Sequence, residues 1–368
     1  DRNGLKFYRP DGEIDKADET GILAALDLNT GTSIPSHQDS AIVPDALKDY
    51  AARCVSLLQP SALTGKRIGI YQHSSVGRDL MVRVLAALGA ETIALARSDV
   101  FVPVDTEALR PEDIAFAAEA CTKYRLDAFV STDGDADRPL VADETGAFIR
   151  GDSLGLLTAR FLHADAIVTP VTSNTAVELS GLFARVYRTK VGSPYVIEGM
   201  RLAGLDGYRR ILGFEANGGV LLGSPVTLEE GKIKPLPTRD SMLPILAVLG
   251  MAARNGVPLS RLLEDLPARF TRSGRLEHIE PGRSGPFLQD LLEDIRRADF
   301  FASLGTIAQS DAIDGVRVVL AGGDVMHYRA SGNAPELRCY AEAASEQRAE
   351  ELLQWGLKHA SEGLADPS

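Results

Sequence analysis

From Lys66 to Glu215 the chain alternates short apolar runs with amphipathic ones, and this alternation constrains its fold more than any other feature. RIGIY (67–71) reads as a strand, HSSVGRD as a polar turn, and LMVRVLAALGA as a helix with apolar residues at helical spacing. The strand ETIALAR follows, then a helix opened by Pro111 over 111–126, the strand DAFVS, and a hairpin around Asp143-Glu144-Thr145-Gly146. This is the pattern of one α/β unit, ending near residue 155. A comparable unit opens at AIVTPV (166–171), continues through a helical TAVELSGLFA and the strand RVYRTK, and reaches a third strand, RRILGFE, at 209–215. The architecture repeats, whereas the sequence does not obviously do so.

After a helical stretch from Asp240 to Asn255 the pattern changes. SGRLEHIE, a helix FLQDLLEDIRRA, the strands VRVVLA, VMHYR and LRCYAEA, and a terminal helix capped by Ser345 no longer alternate strictly. Residues 270–368 therefore read as a separate α+β domain. A chain of 368 residues agrees with two or three domains and more than one core. With 39 Lys+Arg against 51 Asp+Glu and a net charge of −12, broad binding to nucleic acid or anionic membranes is not expected. Any phosphate must be held locally. The longest apolar stretch, Ser241 to Ala253, is shorter than the roughly 18 residues of a membrane span and carries Pro244, so no membrane partner is expected. Cys54, Cys121 and Cys339 are scattered and show no C-x-x-C spacing, which points to a reducing, cytoplasmic setting. The opening DRNGLKFYRPDGEI has neither the basic start nor the apolar run of a signal peptide, and its first residue is Asp1, so residues preceding it are expected.

The strongest local signal follows the strand DAFVS: Asp133, Asp135 and Asp137 in Ser-Thr-Asp-Gly-Asp-Ala-Asp-Arg. Three carboxylates at i, i+2 and i+4 of an irregular segment repel one another unless a hard cation gathers them, and oxygen-only ligation suits Mg²⁺ or Ca²⁺. Asp133, Asp135, Asp137 and Glu144 also fall at positions 1, 3, 5 and 12 of a calcium loop. That template fails at position 6, where Arg138 replaces the turn-forming glycine, and at its flanks, which read as strands. A solvated acidic turn is the plain alternative. Arg138 beside the carboxylates favours a phosphate bound together with Mg²⁺, since Mg²⁺ rarely sits in an all-protein cage. A second loop, Arg329-Ala330-Ser331-Gly332-Asn333-Ala334-Pro335, offers a guanidinium, a hydroxyl, an amide and exposed backbone N–H groups, as an anion cradle does. Ser, Gly, Asn and Pro are equally the residues of an ordinary hairpin turn.

DGDADR, FEANGG (214–219) and RASGNAP, in this order and at these separations, resemble the magnesium, sugar-binding and phosphate-binding loops of the α-D-phosphohexomutases, the phosphomannomutases and phosphoglucomutases. NGLKFY resembles the stretch that follows the catalytic Ser-His-Asn-Pro motif of that family. The resemblance runs over essentially the whole chain. It implies related three-layer α/β domains and a C-terminal domain similar to the TATA-binding-protein fold. Residues 1–52 would be the end of domain one, 53–155 domain two with the metal loop, 156–269 domain three with the sugar loop, and 270–368 domain four with the phosphate loop. The beginning of domain one, with its phosphoserine, would precede this sequence, and no Ser within DRNGLKFY can replace it.

By the same resemblance, the phosphoserine and Mg²⁺, held with Asp133, Asp135 and Asp137, give a phosphoryl group to the sugar phosphate. A hexose 1,6-bisphosphate forms, turns around and returns its other phosphoryl group; the same bisphosphate serves as activator. Arg138 neutralises charge at the reacting pole together with the metal, and Lys6 supplies charge stabilisation or proton transfer there. Glu215, Asn217 and Gly218 meet the sugar, and Arg329, Ser331, Gly332 and Asn333 hold the non-reacting phosphate. Taken alone, Glu215 reads as a strand-end carboxylate and Lys6 as a surface cation. Ser193 stands where many members carry His or Asp, and Glu-Ala-Asn-Gly-Gly replaces the more usual Glu-x-Ser-Gly, so substrate identity stays open.

The expected activity is interconversion of mannose 6-phosphate and mannose 1-phosphate, with glucose or glucosamine phosphates as alternatives and a monomer or homodimer as the form. A metal-dependent sugar-phosphate phosphatase could use the same loops. So could a non-catalytic phosphosugar-binding fragment. His73, in YQHSSVGRD, suggests a Ser–His pair, but no Asp is identifiably paired with it.

Overall fold

The computed structural model describes residues 6–10, 12–28, 45–229, 231–332 and 334–365. The chain forms two compact units. The first comprises Asp1–Thr169, Leu182–Tyr187 and Gly192–Asp265; the second comprises Pro170–Gly181, Arg188–Val191 and Leu266–Ser368.

The first unit opens with the antiparallel pair β1 (Tyr8–Arg9) and β2 (Gly12–Glu13), then α1 (Lys16–Leu28) and α2 (Ala46–Val55). The expected α/β unit follows as β3 (Arg67–His73), α3 (Arg78–Ala87), β4 (Glu91–Arg97), α4 (Pro111–Tyr124), β5 (Ala128–Thr132) and β6 (Pro139–Ala142). Its sheet runs β4-β3-β5-β6, with β3 parallel to both neighbours and β6 antiparallel at the edge. α3 turns Leu80, Met81, Val84 and Leu85 inward at helical spacing, while α4 buries Ala117, Ala120 and Cys121. Asp143 N–H to Ala147 O at 3.0 Å closes the expected hairpin.

After α5 (Gly151–Phe161) come β7 (Ala166–Pro170), α6 (Ala176–Leu179), β8 (Arg185–Thr189), α7 (Ser193–Leu205), β9 (Ile211–Phe214) and β10 (Val220–Leu222). The second sheet runs β10-β9-β7-β8, with β9 parallel to β7 and β10 antiparallel to β9. Strand for strand this repeats the first: β7 corresponds to β3, β8 to β4, β9 to β5 and β10 to β6. The short pair β11 (Val226–Thr227) and β12 (Lys232–Ile233) leads to α8 (Met242–Asn255) and α9 (Arg261–Glu264). Met242 to Ala252 are all buried, and α8 packs along α5. The longest apolar stretch is thus an interior helix. Among the described residues no helix is long and apolar enough to cross a membrane.

Two expectations are corrected. TAVELSGLFA is helical only over α6, because Gly181 takes a left-handed φ of 63°. FLQDLLEDIRRA is not one helix: Glu293, with ψ at 127°, separates α10 (Pro281–Leu292) from α11 (Asp294–Phe301). α5 and α7 add to the helices expected.

The second unit is built on β13 (Phe270–Glu277), β14 (Ile307–Asp311), β15 (Val316–Leu320), β16 (Val325–Ala330) and β17 (Glu336–Ala343), in the antiparallel order β13-β17-β16-β15-β14. α10, α11 and α12 (Glu346–Ala365) cover it through Phe287, Phe301, Leu352 and Leu353, so the tail is α+β as expected. Ser345 caps α12, its Oγ accepting Arg348 N–H at 3.2 Å. Glu342 on β17 binds Arg269 Nε at 2.6 Å and Thr175 N–H at 3.0 Å. Arg188 donates to the carbonyls of Pro170 and Ser173 at 2.9 and 2.8 Å. Segments 170–181 and 188–191 therefore belong to this unit.

Candidate active site

The acidic loop joins β5 to β6. Asp133 shapes it: one carboxylate oxygen accepts the N–H groups of Asp137 and Arg138 at 3.1 and 3.2 Å, and Ala136 N–H reaches Asp133 O at 3.2 Å with φ of 60° at Ala136. Ser241 Oγ donates to Ala136 O at 2.7 Å, and Val76 N–H to Gly134 O at 3.1 Å. The outcome is one carboxylate oxygen from each of Asp133, Asp135 and Asp137 within 4.8 Å of one another. An all-oxygen set of this kind fits a hard divalent cation. Burial and the neighbouring carboxylates push Asp133 up to about 7. The Lys6 ammonium bonds Asp135, and Asp137 at 2.6 Å. Burial works against its charge, but the two carboxylates win and raise its pKa. Arg138 Nε lies 3.9 and 3.8 Å from Asp133 and Asp137, with no hydrogen bond among the described residues.

His73 is buried beneath this loop, its Nε2 2.8 Å from Thr132 O, and burial lowers its pKa. Ser75 Oγ instead pairs with Thr132 Oγ1 at 2.6 Å, so the Ser–His pair does not form. His73 supports the loop's backbone.

The stretch Glu215 to Gly219 joins β9 to β10, the same connection in the second sheet that the acidic loop makes in the first. Glu215 N–H to Gly219 O and Gly218 N–H to Glu215 O, both 3.0 Å, close it, with Gly218 at φ 91°. Asn217 Oδ1 accepts Gly219 N–H at 2.9 Å. The loop rests on Gly151, where a Cβ would come 2.2 Å from Gly218 N, and on Pro139, the residue after the acidic loop. Glu215 is buried, one carboxylate oxygen has no hydrogen-bond partner among the described residues, and burial raises its pKa against the pull of Arg239 and Arg138.

Four residues absent from the sequence reading, or noted there only as a departure, complete this cluster. Ser193 Oγ and Thr238 Oγ1 donate to the two oxygens of Glu13 at 2.5 and 2.8 Å. Arg239 lies 3.5 Å from Glu13 and 3.3 Å from Asp137. Burial opposes the charge of Glu13, yet Ser193 and Arg239 hold its pKa below the usual range. These residues are far apart in the chain, and no local pattern announces them. A cavity of about 390 Å³ lined by Asp135, Asp137, Arg239, Tyr8 and Met242 opens beside them.

In the second unit, Arg329 stands near the end of β16, and the loop from β16 to β17 carries Ser331 and Gly332; Asn333 lies outside the described residues. Arg329 is buried, 3.7 Å from Asp314, and its Nε has no hydrogen-bond partner among the described residues. Ser331 N–H donates to Glu336 O at 2.9 Å, and Gly332 is open to solvent. Lys6, the three aspartates, Arg138, Glu215, Asn217 and Gly218 are thus gathered in the first unit, and Arg329, Ser331 and Gly332 in the second.

Three models of the phosphoglucomutase/phosphomannomutase domains match this chain: α/β/α domain II over 45–146, α/β/α domain III over 150–270 and the C-terminal domain over 290–354. The chain belongs to the phosphoglucomutase/phosphomannomutase family. As a member it is an enzyme of the phosphohexomutase class, an isomerase acting by phosphoryl transfer. It is 44% identical to a phosphomannomutase of Sinorhizobium fredii over 97% of this chain and 76% of that protein. It is 45% identical to one of Salmonella muenchen over 96% and 73%. The crystal structure of a phosphoglucomutase/phosphomannomutase family protein of Burkholderia thailandensis superposes with a TM-score of 0.73 at 19% identity, covering 97% of this chain and 72% of that one. The family fold is therefore present from the first sheet to the terminal helix.

Proposed function

We propose that the protein is a magnesium-dependent phosphomannomutase, interconverting mannose 6-phosphate and mannose 1-phosphate through an enzyme phosphoserine and a hexose 1,6-bisphosphate. The observation that carries the substrate is the identity of 44% and 45% to two phosphomannomutases over nearly the whole chain. Asp133, Asp135 and Asp137 would hold Mg²⁺, which when bound neutralises charge on the phosphoryl group. Lys6 and Arg138 bring positive charge to the same pole. Glu215, with its unsatisfied oxygen, and Asn217 accept or donate to sugar hydroxyls, while Gly218 lets the loop turn tightly beneath them. Arg329, Ser331 and Gly332 present a guanidinium, a hydroxyl and open backbone to the second phosphate. The buried, unpaired Cys54, Cys121 and Cys339 support a reducing, cytoplasmic setting.

The test supplies the intact enzyme with mannose 1-phosphate or glucose 1-phosphate, Mg²⁺ and catalytic hexose 1,6-bisphosphate. Mannose 6-phosphate is expected to form at the higher kcat/KM, with no inorganic phosphate, and to stop on adding EDTA. Faster turnover of glucose 1-phosphate would make it a phosphoglucomutase. Phosphate release without an isomer would make it a phosphatase.

A further inference from the structure

Arg239 is fixed at its backbone and unsatisfied at its tip. On one side Thr238 bonds Glu13. On the other, Asp240 accepts Tyr50 OH and Arg53 Nη1, each at 2.5 Å, and the N–H groups of Met242 and Leu243 at 3.1 and 3.2 Å at the start of α8. The Arg239 stem lies over Gly219, where a Cβ would come 2.9 Å from its Cγ and Cδ. A glycine at this point of the sugar loop lets the stem pass.

The guanidinium ends between the two loops, with its side chain 13% exposed. It stands at ion-pair distance from Asp137 and Glu13, yet makes no hydrogen bond of ordinary geometry among the described residues, and its Nε is buried without a partner. Arg53, equally buried at 12%, bonds Lys234 O through Nε at 3.2 Å and Asp240 through Nη1 at 2.5 Å, leaving only Nη2 without a partner among the described residues, whereas the Arg239 guanidinium is bonded through none of its nitrogens. Leaving buried donors unbonded is costly, so the contrast calls for an anion that arrives. Arg138 Nε, also unbonded, lies 3.8 Å from the other oxygen of Asp137. Two guanidinium groups with spare donors thus flank one carboxylate of the acidic cluster, and Arg239 lines the cavity beside it. A guanidinium fork matches two oxygens of a phosphoryl group.

We propose, resting on the mutase reading above, that Arg239 is a further catalytic residue, whose guanidinium binds the oxygens of the phosphoryl group in transfer, and that Glu13, clamped by Ser193 and Thr238, is the positioning residue that aims it. Arg239 exchanges no proton. It holds the phosphoryl oxygens while the bond from phosphorus to the serine oxygen breaks and the bond to the sugar oxygen forms, the sugar hydroxyl's proton ending on serine.

The experiment compares wild type, R239M, E13Q and the double variant of the intact enzyme by kcat, KM, calorimetric binding of glucose 1,6-bisphosphate and thermal melting. R239M keeps the stem over Gly219 and removes every donor. It is expected to melt like wild type and to lose about 100-fold in kcat, the usual effect of deleting one preorganised donor. E13Q is expected to lose about tenfold alone and nothing further in the R239M background, since it acts through Arg239. If R239M does not fold, R239K is expected to fold and lose about tenfold, because a lone ammonium cannot fork. A folded R239M or R239K with wild-type kcat and bisphosphate affinity overturns the proposal, and additive losses overturn the role of Glu13. A wild-type enzyme that neither isomerises hexose phosphates nor binds the bisphosphate overturns the mutase reading and this proposal with it.

Discussion

Asp133 and Asp135 contribute to one cluster in different ways, and the difference predicts different mutant behaviour. Asp133 commits an oxygen to two backbone N–H groups of its own loop. Its replacement by Ala should destabilise the protein by about 1–3 kcal/mol in urea denaturation, the cost of stranding buried donors. Asp135 is half exposed and is drawn to Lys6. Asp135→Asn should therefore leave the metal-free melting temperature within a few degrees of wild type. It should abolish both the stabilisation by added Mg²⁺ and the isomerisation; wild-type turnover in this variant would remove the carboxylate from the mechanism. The acidic loop was legible at this scale because its three carboxylates are sequence neighbours. Glu13, Ser193 and Arg239 were not, because they meet only after three separate elements pack.

At the scale of elements, the two loops of the site are one connection used twice, the link from the third strand of each sheet to its antiparallel edge strand. The first copy carries Asp133, Asp135 and Asp137, and the second carries Glu215, Asn217 and Gly218. Their adjacency depends on α5 starting with a residue that has no Cβ. Gly151→Ala would place a methyl 2.2 Å from Gly218 N, against backbone that cannot step aside. It should cost on the order of 1–3 kcal/mol in folding stability and raise KM for the sugar phosphate, while Mg²⁺ affinity at the acidic loop changes little. Unchanged KM in a folded Gly151→Ala enzyme would show that substrate binding does not need the loop from Glu215 to Gly219 seated on this residue. The repeat was legible from strand and helix periodicity, which local sequence encodes. α5 was not foreseen, since burial of Gly151, Asp152 and the run from Leu154 to Ala159 leaves no polar face to mark it.

For the molecule as a whole, acid sensitivity is built into the second unit. His327 is buried between β15 and β17, its Nε2 2.5 Å from Asp314 O and its ring stacked on Tyr340, and burial lowers its pKa to about 4, with Arg317 and Arg329 adding to the effect. The unfolded chain then binds a proton at higher pH than the folded one does. Stability from this group is complete above pH about 6.5 and is lost as pH falls toward 4, by up to about 3 kcal/mol. Urea titrations at several pH values should show the loss, and His327→Gln should flatten it. An equal slope in that variant would assign the acid lability elsewhere.

Local chemistry settled the α/β alternation, the changed pattern of the tail and the three ordered loops, because strand period, helix period and clustered carboxylates are properties of neighbouring residues. Tertiary structure alone decided which strands pair, that the apolar run of α8 is interior, that segments 170–181 and 188–191 join the C-terminal unit, and that Arg239 stands between the acidic loop and the loop from Glu215 to Gly219. Each of these depends on contacts between residues tens to hundreds of positions apart, and sequence spacing carries no measure of such distances.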